Sequence, residues 1–218
     1  SNKMKKEKFI GLVFLIIFIP NILYAGKLIP LKDFFRNPER VSYILSPEGN
    51  TLAFMAPYKK RMNIFIQPAD LSKDPKKITS VTDRDISGFF WKENEHIVYA
   101  RDFAGDENYH IFRVNIKTGK TKDLTPFKDV RASIIDDLED ISKTDMLIAL
   151  NKEQKEVFDV YRLNIYTGEL SLEVKNPGNI TSWYTDHNGI VRAAATTDGV
   201  NNTFLYRKNS HDNFKPLF

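Results

Sequence analysis

The sequence predicts an all-β protein, a β-propeller with about four blades of four antiparallel strands each. Beyond residue 40, short strand-type runs alternate with turn residues, and no amphipathic helical stretch is longer than about ten residues. The runs repeat, because the polar turns near Gly49, Asn94, Lys143 and Gly189 are 45, 49 and 46 residues apart. A period of roughly 40 to 50 residues with four short strands is typical of propeller blades.

The repeat is clearest in one pair of segments. His110–Lys120 aligns with Asp159–Glu169 at an offset of 49 residues, with Arg, Asn, Ile, Thr and Gly identical. Within the first segment, Phe112, Val114 and Ile116 alternate with polar residues, which places apolar side chains on one face of a strand. Such a face is expected to pack against a neighbouring blade.

We predict four blades, at residues 41–81, 86–125, 131–175 and 180–218. In the first blade the expected strands are 41–45, 51–56, 63–68 and 77–81, and the expected last strand of the fourth blade is 213–218. Two architectures compete: four blades that close by themselves, or the first part of a seven- or eight-bladed propeller. Nothing in the last blade resembles a closing device that mixes strands from both termini, which favours the second architecture.

The amino end is predicted to be a signal peptide, residues 1–25, followed by a lead-in at residues 26–40. Four lysines, three of which follow Met4, precede the apolar run Phe9–Ile19, and a short exit ends at Ala25. Residues 1–3 precede Met4 and carry no weight in this prediction. A permanent membrane anchor is the alternative, disfavoured because Pro20 interrupts the run well short of the roughly 20 apolar residues of a spanning helix. We expect export to the periplasm or the exterior, with no membrane association after signal removal.

Composition excludes several classes of function. With 42% hydrophobic and 28% charged residues among 218, the chain has an ordinary globular composition. It has no cysteine, which excludes disulfides, thiolate metal sites and a thiol nucleophile. The net charge of +4 falls to +1 without residues 1–25, because 28 basic and 27 acidic residues then remain. The charge therefore gives no indication of a nucleic-acid partner.

An ordered set of segments resembles the propeller of the prolyl oligopeptidase family, in its acylaminoacyl-peptidase branch. In chain order the segments are Ile29–Pro38, Ser46–Gly49, Leu52–Phe54, Gly105–Val114, Leu124–Phe127, Phe158–Arg162 and Asp186–Arg192. The resemblance implies a propeller that covers an α/β-hydrolase domain with a Ser-Asp-His triad. It also implies a peptide substrate, cleaved near its amino end.

The sequence departs from that family in one respect. It contains no Gly-x-Ser-x-Gly elbow, since no two of its ten glycines are four residues apart. We therefore assign no catalytic residue, and whether the chain acts as an enzyme stays open. The favoured function is the substrate-gating propeller of an exported serine exopeptidase, whose partner is the missing α/β-hydrolase domain. The alternative is a non-catalytic periplasmic propeller that binds a protein or peptide. Oligomerisation stays open.

One loop is the candidate substrate-binding site. Asp102–Asn108 is expected to join the second and third strands of the second blade, and it carries three carboxylates within six residues. A carboxylate is the natural counter-charge for the α-ammonium of a peptide. Glu107 is the candidate, with Asp106 and Asn108 fixing the loop; the alternative is a purely structural turn with a solvated Glu107. The four histidines have no partners at metal-ligand spacing, so no metal or cofactor is predicted.

Overall fold

The structure, a computed structural model, describes residues 29–34 and 39–217. Two compact units are present, residues 1–37 and residues 38–218. The described part of the first unit contains one helical turn, α1 (Leu31–Phe34), with exposed side chains. The predicted signal peptide lies outside the described residues. Within the residues described, no helix is long and apolar enough to cross a bilayer.

The second unit is all β, and the prediction of four propeller blades is confirmed. Its described residues form four sheets, each of four antiparallel strands hydrogen-bonded in sequence order. Blade 1 contains β1 (Val41–Leu45), β2 (Thr51–Tyr58), β3 (Arg61–Pro68) and β4 (Lys76–Lys77). Blade 2 contains β5 (Gly88–Lys92), β6 (His96–Arg101), β7 (His110–Asn115) and β8 (Thr121–Asp123). Blade 3 contains β9 (Ala132–Asp136), β10 (Asp145–Gln154), β11 (Val157–Asn164) and β12 (Leu170–Val174). Blade 4 contains β13 (Ile180–Thr185), β14 (Val191–Thr197), β15 (Asn202–Tyr206) and β16 (Lys215–Pro216).

Three apolar cores lie between successive blades. Phe112 and Val114 pack with Ile64 in the core between blades 1 and 2, whereas Ile111, on the other face of β7, packs with Ile148 between blades 2 and 3. A third core joins blades 3 and 4. Each fully buried aliphatic side chain contributes about 1.5 to 3 kcal/mol. Alternation along a strand thus supplies two packing faces, one to each neighbouring blade.

The first strands of the blades line the axis. β1 lies beside β5, and β9 lies beside β13, whereas the fourth strands are at the opposite edges of their sheets. Because the strands are antiparallel, the hairpins between second and third strands all lie at one end of the blades. We call this end the 2–3 face.

The internal repeat reappears in identical turn geometry. Asn115 Oδ1 accepts hydrogen bonds from the backbone N–H groups two and three residues further on, at 3.0 and 2.9 Å. Asn164 Oδ1 accepts the same two bonds in blade 3, both at 3.0 Å. Gly119 and Gly168 then take left-handed φ values of 70° and 79°, which glycine adopts without steric cost. The five residue identities at an offset of 49 therefore encode one turn used twice.

The fourth strand of blade 1 is shorter than expected. Lys76–Lys77 pairs with β3 and the Ile78 N–H still donates to the Ile64 carbonyl at 2.9 Å, whereas residues 79–81 of the predicted strand 77–81 are held by side-chain bonds. The Ile64 N–H donates to Thr79 Oγ1 at 2.8 Å. Asn63 Nδ2 donates to the Val81 carbonyl at 2.9 Å, and its Oδ1 accepts the Val81 N–H at 2.8 Å. Side-chain bonds replace the backbone ladder here, which strand propensity does not indicate.

The outer face of blade 4 exposes aromatic side chains. Tyr184, Phe204 and Tyr206 are 45%, 45% and 40% exposed, and the rings of the first two are 6.3 Å apart. The opposite face of the same sheet packs Trp183 into the core shared with blade 3. Blade 4 thus buries one face and exposes the face that a following blade would cover.

Candidate functional site

The loop that contains the predicted site residues joins β6 to β7 on the 2–3 face of blade 2. Its first residue, Asp102, is buried, at 2% exposure. Asp102 Oδ1 lies 3.4 Å from Arg84 Nε, and its Oδ2 accepts the Glu107 N–H at 3.3 Å. A Cβ on Gly105 would lie 3.5 Å from the Arg84 guanidinium. Because Arg84 belongs to the connection between blades 1 and 2, the loop is tied to that connection.

Asp106 and Asn108 hold the loop from within. Asp106 Oδ1 accepts the Asn108 N–H at 3.0 Å and the Phe103 N–H at 3.3 Å. Asn108 Nδ2 donates to Asp106 Oδ2 at 3.4 Å, and the Asp106 N–H donates to the Phe103 carbonyl at 3.0 Å. These are the bonds of a tight Asx-type turn. Asp106 has its acceptor oxygens engaged and is less available to a ligand.

Glu107 is in a different situation from its neighbours. Its φ of 60° is left-handed, as are those of Ala104 (50°) and Gly105 (88°). For a residue with a Cβ this conformation costs about 1 to 2 kcal/mol, and the bond from the Glu107 N–H to buried Asp102 stabilises it. The Glu107 side chain is exposed, and its carboxylate makes no hydrogen bond or ion pair with another described residue. The turn thus presents an uncommitted carboxylate.

The arginines near the Glu107 carboxylate are each paired with an aspartate. Arg101 pairs with Asp83 at 2.8 Å, and its Cζ lies 4.5 Å from the ring centroid of Phe103. Although partial burial raises the pKa of Asp83, backbone hydrogen bonds and the Arg101 guanidinium bring it below its usual value. With each arginine paired to an aspartate, Glu107 and Asp106 leave the loop with excess negative charge. Such a surface attracts an ammonium group.

A cavity of about 570 Å³ lies along the axial strands β9 and β13. Ile134 and Tyr184 are exposed in it, at 38% and 45%, and Arg131 and Thr181 line its polar side. Its size is in the usual range for small-ligand sites. This cavity lies on a different pair of blades from the Glu107 loop, so the two features are described separately.

The two tryptophans and two of the four histidines have partners within the fold. Trp91 and Trp183 are buried, and each indole N–H donates to a backbone carbonyl, at 3.2 and 3.1 Å. His96 and His110 are partnered within the fold, and no group of three or more potential metal ligands is found in residues 29–34 and 39–217. Sequence reasoning missed Lys92, which is buried at 2% exposure and donates to the Leu138 carbonyl at 3.4 Å and to the Asp137 carbonyl. Burial lowers the pKa of Lys92 although nearby carboxylates, Asp137 first, raise it.

Two relatives match in sequence, whereas no family model matches the chain. Dipeptidyl aminopeptidase BIII of Pseudoxanthomonas mexicana is 32% identical over 161 residues, which cover 73% of this chain and 23% of the relative. Dipeptidyl peptidase family member 6 of Caenorhabditis elegans is 28% identical over 213 residues, which cover 92% of this chain and 28% of the relative. The chain thus spans about a quarter of the length of these curated relatives.

Solved structures match in fold at low sequence identity. Dipeptidyl peptidase 4 of Porphyromonas gingivalis gives a TM-score of 0.55 at 12% identity, covering 84% of this chain and 33% of that one. TolB from Acinetobacter baumannii gives 0.51 at 17% identity, covering 82% and 43%. The fold alone therefore does not separate a peptidase propeller from a TolB-type propeller. The two sequence relatives do, and both are dipeptidyl peptidases by name.

Proposed function

This chain belongs to the prolyl oligopeptidase family as a propeller portion, and from that premise we propose that it gates the entry of peptides to the catalytic domain of an exported serine exopeptidase. The observation that carries the proposal is the pair of dipeptidyl peptidase relatives, of which one aligns over 92% of the chain. The first strands of the blades form the wall along which a peptide passes, and the cavity on β9 and β13 offers it a contact surface. The proposal of export rests on residues 1–25, in which lysines precede an apolar run.

Within this function, Glu107 recognises the free α-ammonium of the peptide. Three features support this role: an exposed carboxylate without a protein partner, a left-handed backbone that buried Asp102 stabilises, and matched arginines nearby. Asp106 and Asn108 position the loop through their turn hydrogen bonds and do not contact the substrate. An amino-terminal recognition site of this kind selects peptides with a free amine over acylated ones.

The test is Glu107→Gln in a protein that includes the catalytic domain. A hydrogen bond to a charged group contributes about 1.5 to 3 kcal/mol, so kcat/KM for free-amino peptides should fall roughly 10- to 100-fold. Hydrolysis of amino-terminally acylated peptides should change little. Glu156→Gln is the matched control, because Glu156 follows Glu107 by 49 residues and lies in the equivalent hairpin of blade 3.

Two outcomes separate the parts of the proposal. If wild type and Glu107→Gln hydrolyse both kinds of peptide with equal kinetics, Glu107 does not recognise the α-ammonium. The proposed gating role of the propeller is not contradicted by that result. Asp106→Asn tests the positioning role: it should lower Tm, because the turn loses the charge that strengthens its hydrogen bonds, with a smaller effect on kcat/KM than Glu107→Gln. A larger kinetic loss for Asp106→Asn than for Glu107→Gln would assign ligand binding to Asp106 instead.

A further inference from the structure

Arg113 of β7 is an arginine without a hydrogen-bond or ion-pair partner among the described residues. It lies on the face of blade 2 that packs against blade 3, the same face as core residue Ile111. Within residues 29–34 and 39–217 its guanidinium makes no hydrogen bond or ion pair, and its Nε is buried without an acceptor. A guanidinium carries five N–H donors. Leaving a buried one unpaired costs free energy that a bound acceptor would recover.

The internal repeat supplies a comparison within the same molecule. Arg162 occupies the equivalent place in blade 3, 49 residues later, and pairs with Glu173 through Nε at 3.3 Å and Nη2 at 3.4 Å. Glu173 is the extra residue of a bulge in β12, between Leu172 opposite Tyr161 and Val174 opposite Val160. Blade 2 has no such residue, because Leu124 follows Asp123 directly and its N–H donates to the Ile111 carbonyl at 2.8 Å. Blade 2 therefore keeps the arginine of this pair and lacks its carboxylate.

A second cation lies directly opposite Arg113. Lys122 of β8 is its cross-strand partner, and like charges in this position are destabilising unless an anion compensates them. The Lys122 ammonium donates to the Thr167 carbonyl at 2.7 Å and to the Tyr166 carbonyl at 3.4 Å, which leaves one of its three donors unused. The Tyr166 ring covers Arg113 with its centroid 5.6 Å from Cζ. The turn of blade 3 thus closes one side of a positively charged site.

The neighbouring histidine, His96, does not add a third positive charge to the site. Asn115 Oδ1 is occupied by the N–H groups of its turn, so Asn115 Nδ2 is the atom that faces His96 Nε2, at 3.2 Å. That nitrogen of His96 must accept, and the imidazole is neutral. Burial and then the Arg113 charge lower the pKa of His96, whereas Glu95 raises it. Glu95 itself pairs with Lys117.

We propose that the junction of blades 2 and 3 binds an oxyanion, a carboxylate or phosphate group, between the Arg113 guanidinium and the Lys122 ammonium. The guanidinium fork matches the two oxygens of such a group, and the partner replaces the carboxylate that Glu173 supplies in blade 3. The covering residue Tyr166 lies in the turn between β11 and β12, at the end of the blades opposite the 2–3 face. The site is therefore separate from Glu107 and goes beyond the proposed function.

The test compares thermal unfolding in sodium phosphate, sodium acetate and sodium chloride at matched ionic strength and pH 7. In about 50 mM phosphate or acetate the wild-type Tm should rise by about 2 to 4 °C over chloride, since a ligand that binds only the folded state stabilises it. The salt that acts at the lower concentration identifies the preferred oxyanion. Arg113→Gln should lose the response, and the matched control Arg162→Gln should keep it.

A second variant, Lys122→Glu, and an NMR titration of His96 test the same site. Lys122→Glu places a carboxylate opposite Arg113 and should remove the response to added oxyanion while Arg113 is intact. By NMR, phosphate or acetate should raise the pKa of His96 in the wild type, because the bound anion offsets the Arg113 charge, and should leave it unchanged in Arg113→Gln. Equal responses in wild type and Arg113→Gln, or none in either salt, would overturn the proposal.

Discussion

The most informative stability prediction concerns Asp159, the buried carboxylate of blade 3. Asp159 is 1% exposed; its Oδ1 accepts the Asn176 N–H at 2.7 Å, and its Oδ2 accepts a bond from Lys175 Nζ, also at 2.7 Å. Asp159→Ala leaves the N–H of Asn176, itself 4% exposed, buried without an acceptor. This defect costs roughly 2 kcal/mol. For a domain of this size it should lower Tm by about 4 to 8 °C.

The neighbouring variants separate the backbone bond from the ion pair. Asp159→Asn retains a side-chain oxygen for the Asn176 N–H and should lower Tm much less than Asp159→Ala. Lys175→Gln should lower Tm less than Asp159→Ala, because the Lys175 side chain is 58% exposed and a glutamine can still donate a hydrogen bond to Asp159. Thermal denaturation followed by circular dichroism at pH 7 measures all three. The reasoning is refuted if Asp159→Asn or Lys175→Gln lowers Tm as much as Asp159→Ala does.

Three other predictions concern pH, chemistry and export. Burial, and next the Arg113 charge, lower the pKa of His96 below its usual 6.5, so its contribution to stability is complete above about pH 6.5 and is lost as the pH falls towards the lowered value. His96→Gln should flatten the pH dependence of Tm in this window, whereas replacing exposed His211 should not. The chain by itself should not react with a fluorophosphonate probe, since it has no nucleophile elbow; stoichiometric labelling of a serine would contradict this. Residues 4–30 fused to a reporter active only outside the cytoplasm should give signal, and retention of the unprocessed fusion in the cytoplasm would count against export.

Sequence reasoning predicted the elements of this fold best where they depend on local chemistry. The turn at Asn115 and Gly119 is encoded within five residues and recurs at Asn164, so its position could be read directly. The short fourth strand of blade 1 could not, because Asn63 and Thr79 replace backbone pairing with side-chain bonds across 16 residues of sequence.

The sites show the same division between local and long-range features. Glu107 was identified from charges within one loop, although its left-handed backbone and its bond to Asp102 become visible only in three dimensions. The sequence did not indicate Lys92 or Arg113, because their contacts are with residues of the next blade. Lys92 donates to the Leu138 carbonyl, and Arg113 lies against the Tyr166 ring. Residues separated by about 50 positions carry no local pattern that announces such contacts.

The most direct test of the central claim, that this chain is the propeller portion of a serine peptidase, is the sequence of the reading frame beyond the codon for Phe218. The account predicts that the frame continues through about three to four further blades, which would cover Phe204 and Tyr206, and then encodes a Gly-x-Ser-x-Gly elbow. A natural stop codon directly after Phe218 would contradict it.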